Sequence, residues 1–287
     1  MASLKDLRRR IRATKSMQQI FKAMEMVAAA KLRRAQQRAQ AASPYSAKIS
    51  AMLENLASAA ADLEHPLFKA REVKVTALVL ITADRGFAGP YNTAVLRVAE
   101  ARLQAAVPGS VQCVVVGRKG RDYLRRRGYP VLAAHTDLPG EASLELARQI
   151  TLDLTERFIR GEVDRVEIMY THFVNAVVRQ VRTETFLPIG TGSASSGQSA
   201  SSGSTIFEPD AESIFAELLP RYATAKLYAS LADSLASEHS ARMVAMGSAR
   251  KNAGELVDSL TLTRNRLRQA AITREISELV GGAEALN

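Results

Sequence analysis

Along the N-terminal stretch apolar residues recur at helical spacing. Leu4, Leu7, Ile11, Met17, Ile20, Met24 and Val27 step by three, four or six and fall on one broad stripe, with the charges elsewhere. Met1 to Ser43 and Arg221 to Asn287 contain no proline and almost no glycine, so both ends of the chain predict long helices. A helix from Arg221 to Val280 rises about 90 Å at 1.5 Å per residue, and one that long needs a partner along its length. The other end of the chain is the natural partner. Strict heptads do not hold, because Gln18 and Glu25 interrupt one register and Lys15 and Lys31 the other. The pattern predicts an irregular antiparallel pair rather than a leucine zipper. Pro44 predicts a kink or an interruption, after which Tyr45 to Leu63 resumes a helical pattern until His65-Pro66.

From Val73 the period changes. Val73 to Ile81 (VKVTALVLI) and Val111 to Val116 (VQCVVV) are β-branched and apolar, as in buried strands of a parallel sheet. Thr93 to Ala106 and Ser143 to Arg160 are amphipathic helices that alternate with them, the signature of an α/β layer. Arg165 to Phe173 and Val178 to Leu187 predict two further strands joined by a turn at Asn175, and Pro188 closes the insert. Gly190 to Ser204 (GTGSASSGQSASSGS) predicts a flexible loop. Glu208-Pro209-Asp210 is expected to cap the segment after it, with the last helix beginning after Pro220. In that helix Leu227, Leu231 and Leu235 give way to small and Met-bearing positions that allow close approach of a neighbour, and Gly254 is a tolerated weak point costing about 1 kcal/mol relative to alanine. The fold class expected is α/β: an antiparallel coiled coil of long N- and C-terminal helices with an inserted Rossmann-like α/β domain. Its layout is an N-terminal coiled-coil helix over 1–63, an α/β domain over 73–188, a Gly/Ser loop over 189–207 and a C-terminal coiled-coil helix over 208–287.

Charge sharpens this picture. The chain carries a formal +10, yet Met1 to Arg38 alone holds eleven Lys or Arg against Asp6 and Glu25, a net of +9. A field so concentrated favours an acidic partner surface and steers association. The single cysteine, Cys113, sits in an apolar run and reads as a small buried thiol, so there is no disulfide framework. No run of about 18 apolar residues exists to span a bilayer. The basic start lacks the serine richness of a transit peptide and is read as mature structure.

Catalytic chemistry is missing from the pattern. Neither GxxxxGK[ST] nor GxGxxG occurs. Ala83 to Tyr91 (ADRGFAGPY) and Gly117 to Gly120 (GRKG) each follow a strand and read as structural turns, the second also a place where an anion could approach a helix N-terminus. His65, His135, His172 and His239 have no metal-ligand spacing, and no GxSxG elbow points to a nucleophile. No catalytic, cofactor or metal site is predicted, which argues for a structural or mechanical role in a larger machine.

Four stretches in order along the chain carry a resemblance. TKSMQQIFKAMEMVAAAKLRRAQ (Thr14 to Gln36), TADRGFAGPYN (Thr82 to Asn92), LASEHSARMVAM (Leu235 to Met246) and RQAAITREISELVGGAEA, with Ile272-Thr273-Arg274-Glu275, Glu278 and Gly282-Ala283-Glu284-Ala285, resemble the gamma subunits of F-type ATP synthases. The resemblance covers essentially the whole chain. It implies a non-catalytic central rotor: an asymmetric antiparallel coiled coil inside a hexamer of alpha and beta subunits, three of each, with an epsilon subunit and a membrane c-ring as further partners. Ion flow turns the ring, the ring turns this subunit, and its asymmetric surface drives the catalytic sites of the partner subunits in turn, each rotor angle favouring different site conformations by differential contact.

The resemblance also implies residue roles. Lys22 and Met24 on the first helix and Arg242 on the last are expected where the shaft meets the acidic lever of the beta subunits. Arg268, Gln269, Thr273, Glu275 and Glu278 are expected nearer the loops that grip the shaft, with Arg268 and Gln269 as hydrogen-bond partners. Met17 and Phe21 depart from the family, which often has threonine there, and enlarge the apolar stripe. Ala88 stands where some relatives have cysteine, and the cysteine pair of the chloroplast redox switch is lacking, so that mechanism is excluded. The expected location is the cytoplasmic side of a bacterial inner membrane, peripherally bound. Two other readings, a basic coiled coil that binds nucleic acid and a peripheral membrane-binding protein, are weakened by the scarcity of aromatics beside the charge and by the lack of tryptophan.

Overall fold

The computed structural model describes residues 3–59, 65–189 and 211–284. In chain order the elements are α1 (Leu4–Ala59), β1 (Thr76–Ile81), α2 (Tyr91–Gln104), β2 (Val111–Val116), α3 (Arg118–Arg126), β3 (Val131–His135), α4 (Leu144–Ile159), β4 (Arg165–Phe173), β5 (Arg179–Leu187) and α5 (Ala211–Glu284). The fold class is α/β, with long helices at both ends and a central sheet. The chain divides into a terminal unit of Met1–Ala28 with Arg242–Asn287 and a central unit of Ala29–Ala241.

The central unit is built on a five-stranded sheet of order β3-β2-β1-β4-β5. Its first four strands are parallel and β5 returns antiparallel beside β4. Every residue of β1 is buried, because both faces of the sheet are covered. Ala77, Val79 and Ile81 face a cluster built with Ile150, Leu154 and Phe158 of α4 and Leu219, Leu227 and Leu231 of α5. Leu78 and Leu80 face the opposite cluster, with Val95, Leu96 and Ala99 of α2 and Leu124 of α3. Alternation along a strand thus feeds two cores at once.

Several expectations are corrected. The helix is not interrupted at Pro44, since α1 is one helix over Leu4–Ala59. The last helix does not begin after Pro220. It starts at Ala211 and carries Pro220 in its interior, where Thr224 Oγ1 donates to the Pro220 carbonyl at 2.7 Å. The first strand begins at Thr76 rather than Val73, because the amides of Lys74 and Val75 donate to the Asp164 carboxylate, both at 2.9 Å, instead of to a strand. Between β2 and α4 lie α3 and β3, which the sequence pattern does not predict as elements. The Gly190 to Ser204 stretch and Glu208-Pro209-Asp210 lie outside the described residues.

Candidate functional site

In the central unit the place where a parallel α/β sheet offers a ligand crevice, beyond the carboxyl ends of its strands, is occupied by the chain's own groups. Gly117 ends β2 at φ +100, and a β-carbon there would lie 2.2 Å from the Thr82 carbonyl oxygen. Thr82 Oγ1 donates to the Val116 carbonyl at 3.0 Å and accepts from the Gly120 amide at 2.9 Å. The Arg118 amide, which opens α3, donates to Asp84 at 2.7 Å, and the other Asp84 oxygen accepts from Leu138 N at 2.6 Å. A carboxylate of the chain itself therefore sits where an anion would approach the α3 N-terminus. Arg118 also pairs with Asp137. The GRKG segment is a structural turn, as its sequence suggests. ADRGFAGPY likewise serves packing: Ala83, Ala88 and Tyr91 cluster with Ala241 of α5, and Tyr91 Oη lies 2.7 Å from Ser234 Oγ.

A cleft of about 1020 Å³ lies beside β4, β5 and α5. Asp233 closes one wall, accepting from Phe173 N at 2.9 Å and pairing with His172 Nδ1 at 2.5 Å. Lys226 donates to the Thr185 carbonyl at 2.8 Å, and burial lowers its pKa. Tyr170 donates to Glu184 at 2.8 Å, its pKa raised chiefly by burial. These contacts tie β4 and β5 to α5. No cluster of His, Cys, Asp or Glu able to hold a metal occurs among the described residues, and no helix there is long and apolar enough to cross a membrane.

All eight residues singled out by the resemblance lie in the terminal unit. Its two helices run antiparallel, because Glu25 of α1 meets Gly247 and Arg250 of α5 whereas Gln18, earlier in α1, meets Gly254, later in α5. On α1 the buried or half-buried seam is Leu7, Ile11, Thr14, Gln18, Phe21, Glu25 and Ala28, alternating steps of four and three. On α5 it is Met246, Arg250, Ala253, Val257, Leu260, Arg264, Leu267 and Ala271, with the same alternation. The spacing is therefore regular, and the irregularity inferred from the sequence lies in the chemistry of the seam. Gln18 and Glu25, read as interruptions, are seam residues seated over glycines.

A second stripe on α1, formed by Met17, Ile20 and Val27, is exposed, with Met24 half-buried beside it and Lys22 exposed. Arg242 is half-buried. Arg268, Gln269, Thr273, Glu275 and Glu278 are exposed, and residues 272–281 are exposed all round, including Ile276 at 56% and Leu279 at 74%. About 39 Å of helix separates Arg242 from Arg268, so the eight residues form two groups and not one site. Ile272, Ile276, Leu279 and Val280 are not singled out by the sequence reading, although their three-to-four spacing is the available signal. Apolar side chains left on the outside of a helix in this number mark a surface that another molecule covers.

A family model described as "ATP synthase" matches residues 3–286. The ATP synthase gamma chain of Desulforamulus reducens is 45% identical over 286 residues, and that of Moorella thermoacetica is 45% identical over 287, each covering 100% of both chains. Among solved structures, a chain of the Euglena gracilis mitochondrial ATP synthase is similar with a TM-score of 0.67 at 18% identity, covering 99% of this chain and 94% of that one. A chain from the central stalk and c-ring structure of the Tetrahymena thermophila mitochondrial ATP synthase is similar with a TM-score of 0.60 at 24% identity, covering 80% of this chain and 99% of that one. At these identities the structural likeness speaks for the fold.

Proposed function

This chain belongs to the ATP synthase gamma-chain family, and we propose that its terminal unit is the surface through which it couples to the catalytic hexamer. It is the central-stalk subunit of an F-type ATP synthase, a non-catalytic rotor component, and catalysis lies in the beta subunits. It works within an ATP synthase complex associated with a membrane. Beyond that, we assign it three alpha and three beta subunits, an epsilon subunit and a membrane c-ring as partners, at the cytoplasmic face of a bacterial inner membrane.

In this reading Lys22, Met24 and Arg242 meet the beta-subunit lever, and Arg268, Gln269, Thr273, Glu275 and Glu278 face the loops around the shaft tip. The net +9 on residues 1–38 supports an acidic counter-surface. A shaft drives three like sites differently only if its faces differ, because each angle must favour one site conformation by differential contact. The terminal unit has that property: α1 carries exposed methionine, isoleucine and valine on one side and arginines on others, and the end of α5 is a single helix exposed all round.

The observation that carries the proposal is the exposed apolar series Ile272, Ile276, Leu279 and Val280 at the end of α5. Burying one such side chain contributes about 1.5–3 kcal/mol. The test is Ile276→Asp with Leu279→Asp in the purified complex, assayed for ATP synthesis and for subunits retained. The expected result is weakened retention of this chain and reduced synthesis, with thermal unfolding of the isolated chain unchanged. Retention and synthesis equal to wild type would refute the coupling surface.

A further inference from the structure

The seam of the terminal unit holds a pattern of two polar side chains over two glycines, with both pairs spaced by seven residues. Gln18 and Glu25 lie on α1, Gly254 and Gly247 on α5. A β-carbon on Gly254 would lie 2.9 Å from Gln18 Nε2, and one on Gly247 would lie 3.2 Å from Glu25 Oε1, so each glycine makes room for the polar group opposite. Glu25 has one addition. Arg250, one turn beyond Gly247, donates Nε–H to Glu25 Oε2 at 2.8 Å.

Equal spacing on both helices creates a problem of register. Sliding α1 by one heptad toward the end of α5 places Glu25 over Gly254, where the steric fit is again a long polar side chain over a glycine, and moves Gln18 over Thr261. For Glu25, shape alone therefore discriminates poorly between the two registers. The residue one turn beyond the glycine differs, however: it is Arg250 after Gly247 and Val257 after Gly254. In the shifted register the Glu25 carboxylate would meet Val257, which is buried, with no cation in its place. Gln18 is neutral and tolerates the valine. Polar seam residues that are satisfied in one register only are a known means of specifying it.

We infer that Glu25 and Arg250 are positioning residues that fix the axial register of α1 against α5, and with it the placement of the exposed Met17, Ile20 and Val27 stripe and of Met24 beside it. The inference rests on the reading of the terminal unit as the coupling surface. Glu25 adjoins Met24 and lies two residues from Val27, so a change of register displaces the whole exposed stripe. Torque passed through the pair would load the same seam. An apolar seam resists separation well and axial slip less well, whereas a directed ion pair resists slip.

The test uses the assembled complex with spin labels on Gln19→Cys and Glu255→Cys, both exposed positions of the terminal unit, while buried Cys113 stays unlabelled. Pulsed electron paramagnetic resonance then reads the distance between the helices, and ATP synthesis is measured beside ATP hydrolysis. Glu25→Gln and Arg250→Gln are expected to add a second distance population, displaced along the axis by about 10 Å, one heptad of rise. Both are expected to lower synthesis severalfold while hydrolysis falls less. The exchanged pair, Glu25→Arg with Arg250→Glu, is expected to restore the single distance and the synthesis rate. A single unshifted distance in both Gln variants, or an exchanged pair no better than either single, overturns the inference. The two readings fail separately: loss of the coupling surface leaves the distance shift in place with synthesis indifferent to the exposed stripe, and loss of the register pair leaves the effect of Ile276→Asp and Leu279→Asp intact.

Discussion

Gly117→Ala tests why the ligand crevice of the sheet is closed. At φ +100 and ψ 140 the backbone lies in a region that few residues but glycine adopt, so any residue with a β-carbon is strained, by about 1–3 kcal/mol. The new atom would also lie 2.2 Å from the Thr82 carbonyl oxygen and 2.7 Å from Thr82 Oγ1. Neither neighbour can yield freely. Thr82 N donates to Val116 O at 2.8 Å, and Thr82 Oγ1 links Val116 O to the Gly120 amide. Moving Thr82 aside leaves one or two buried groups without partners, at about 1–3 kcal/mol each. The total is about 2–9 kcal/mol, the upper half of which is exceptional for one methyl group. Gly128→Ala is the control, because Gly128 has φ +73 and nothing within 4 Å of the added atom. It bears the backbone strain alone, about 1–2 kcal/mol. Urea unfolding followed by circular dichroism and tyrosine fluorescence measures both, since the chain has seven tyrosines and no tryptophan. Equal destabilisation by the two substitutions would refute the close approach of Thr82 as the reason for glycine at position 117.

Three further outcomes are expected. The Cys113 thiol, pushed up to about 12 by burial, resists iodoacetamide at mildly alkaline pH in the native chain and reacts in urea; stoichiometric native labelling would contradict its burial. The amides of Val75 and Lys74 hold the Asp164 carboxyl below its ordinary value of 3.8, so its contribution is fully present above that value and lost as pH falls through the lower folded value; the stability gap between wild type and Asp164→Asn, read from thermal midpoints, is flat near neutrality and closes in acid. Gly254→Ala gains up to about 1 kcal/mol of helix propensity and displaces only the Gln18 amide, so its thermal midpoint equals or exceeds wild type; Gly247→Ala, pressed on a carboxylate that Arg250 already holds, falls below it.

Much of this protein is legible from local pattern. The strands over Val111 to Val116 and Arg165 to Phe173 agree with β2 and β4 because β-branched runs buried on both faces need no partner to be recognised. Both terminal helices follow from 3.6-residue periodicity and from the scarcity of breakers. The segment from Arg118 to His135 is less legible: α3 is nine residues long and arginine-rich, with only Gly120 and Leu124 buried, and β3 is a five-residue edge strand with no fully buried position. Elements that bury so little leave a weak apolar signal. Pro220 misleads for a different reason, since a missing amide hydrogen bond is a local penalty that the burial of Leu219, Ala223 and Leu227 beside it offsets.

The sequence by itself determined most of the elements, the concentration of charge and, through four motifs, the family. Only the tertiary structure decided what the exceptions mean. Gln18 and Glu25 look like faults in a heptad, and Gly254 like a weak point in a helix, until the helices are laid antiparallel and each polar side chain is found over a glycine. Periodicity is a property of one helix and can be read along it. Which residue faces which depends on the register between two helices whose facing residues, such as Glu25 and Arg250, lie 225 apart in the chain, and that register exists only once they are packed.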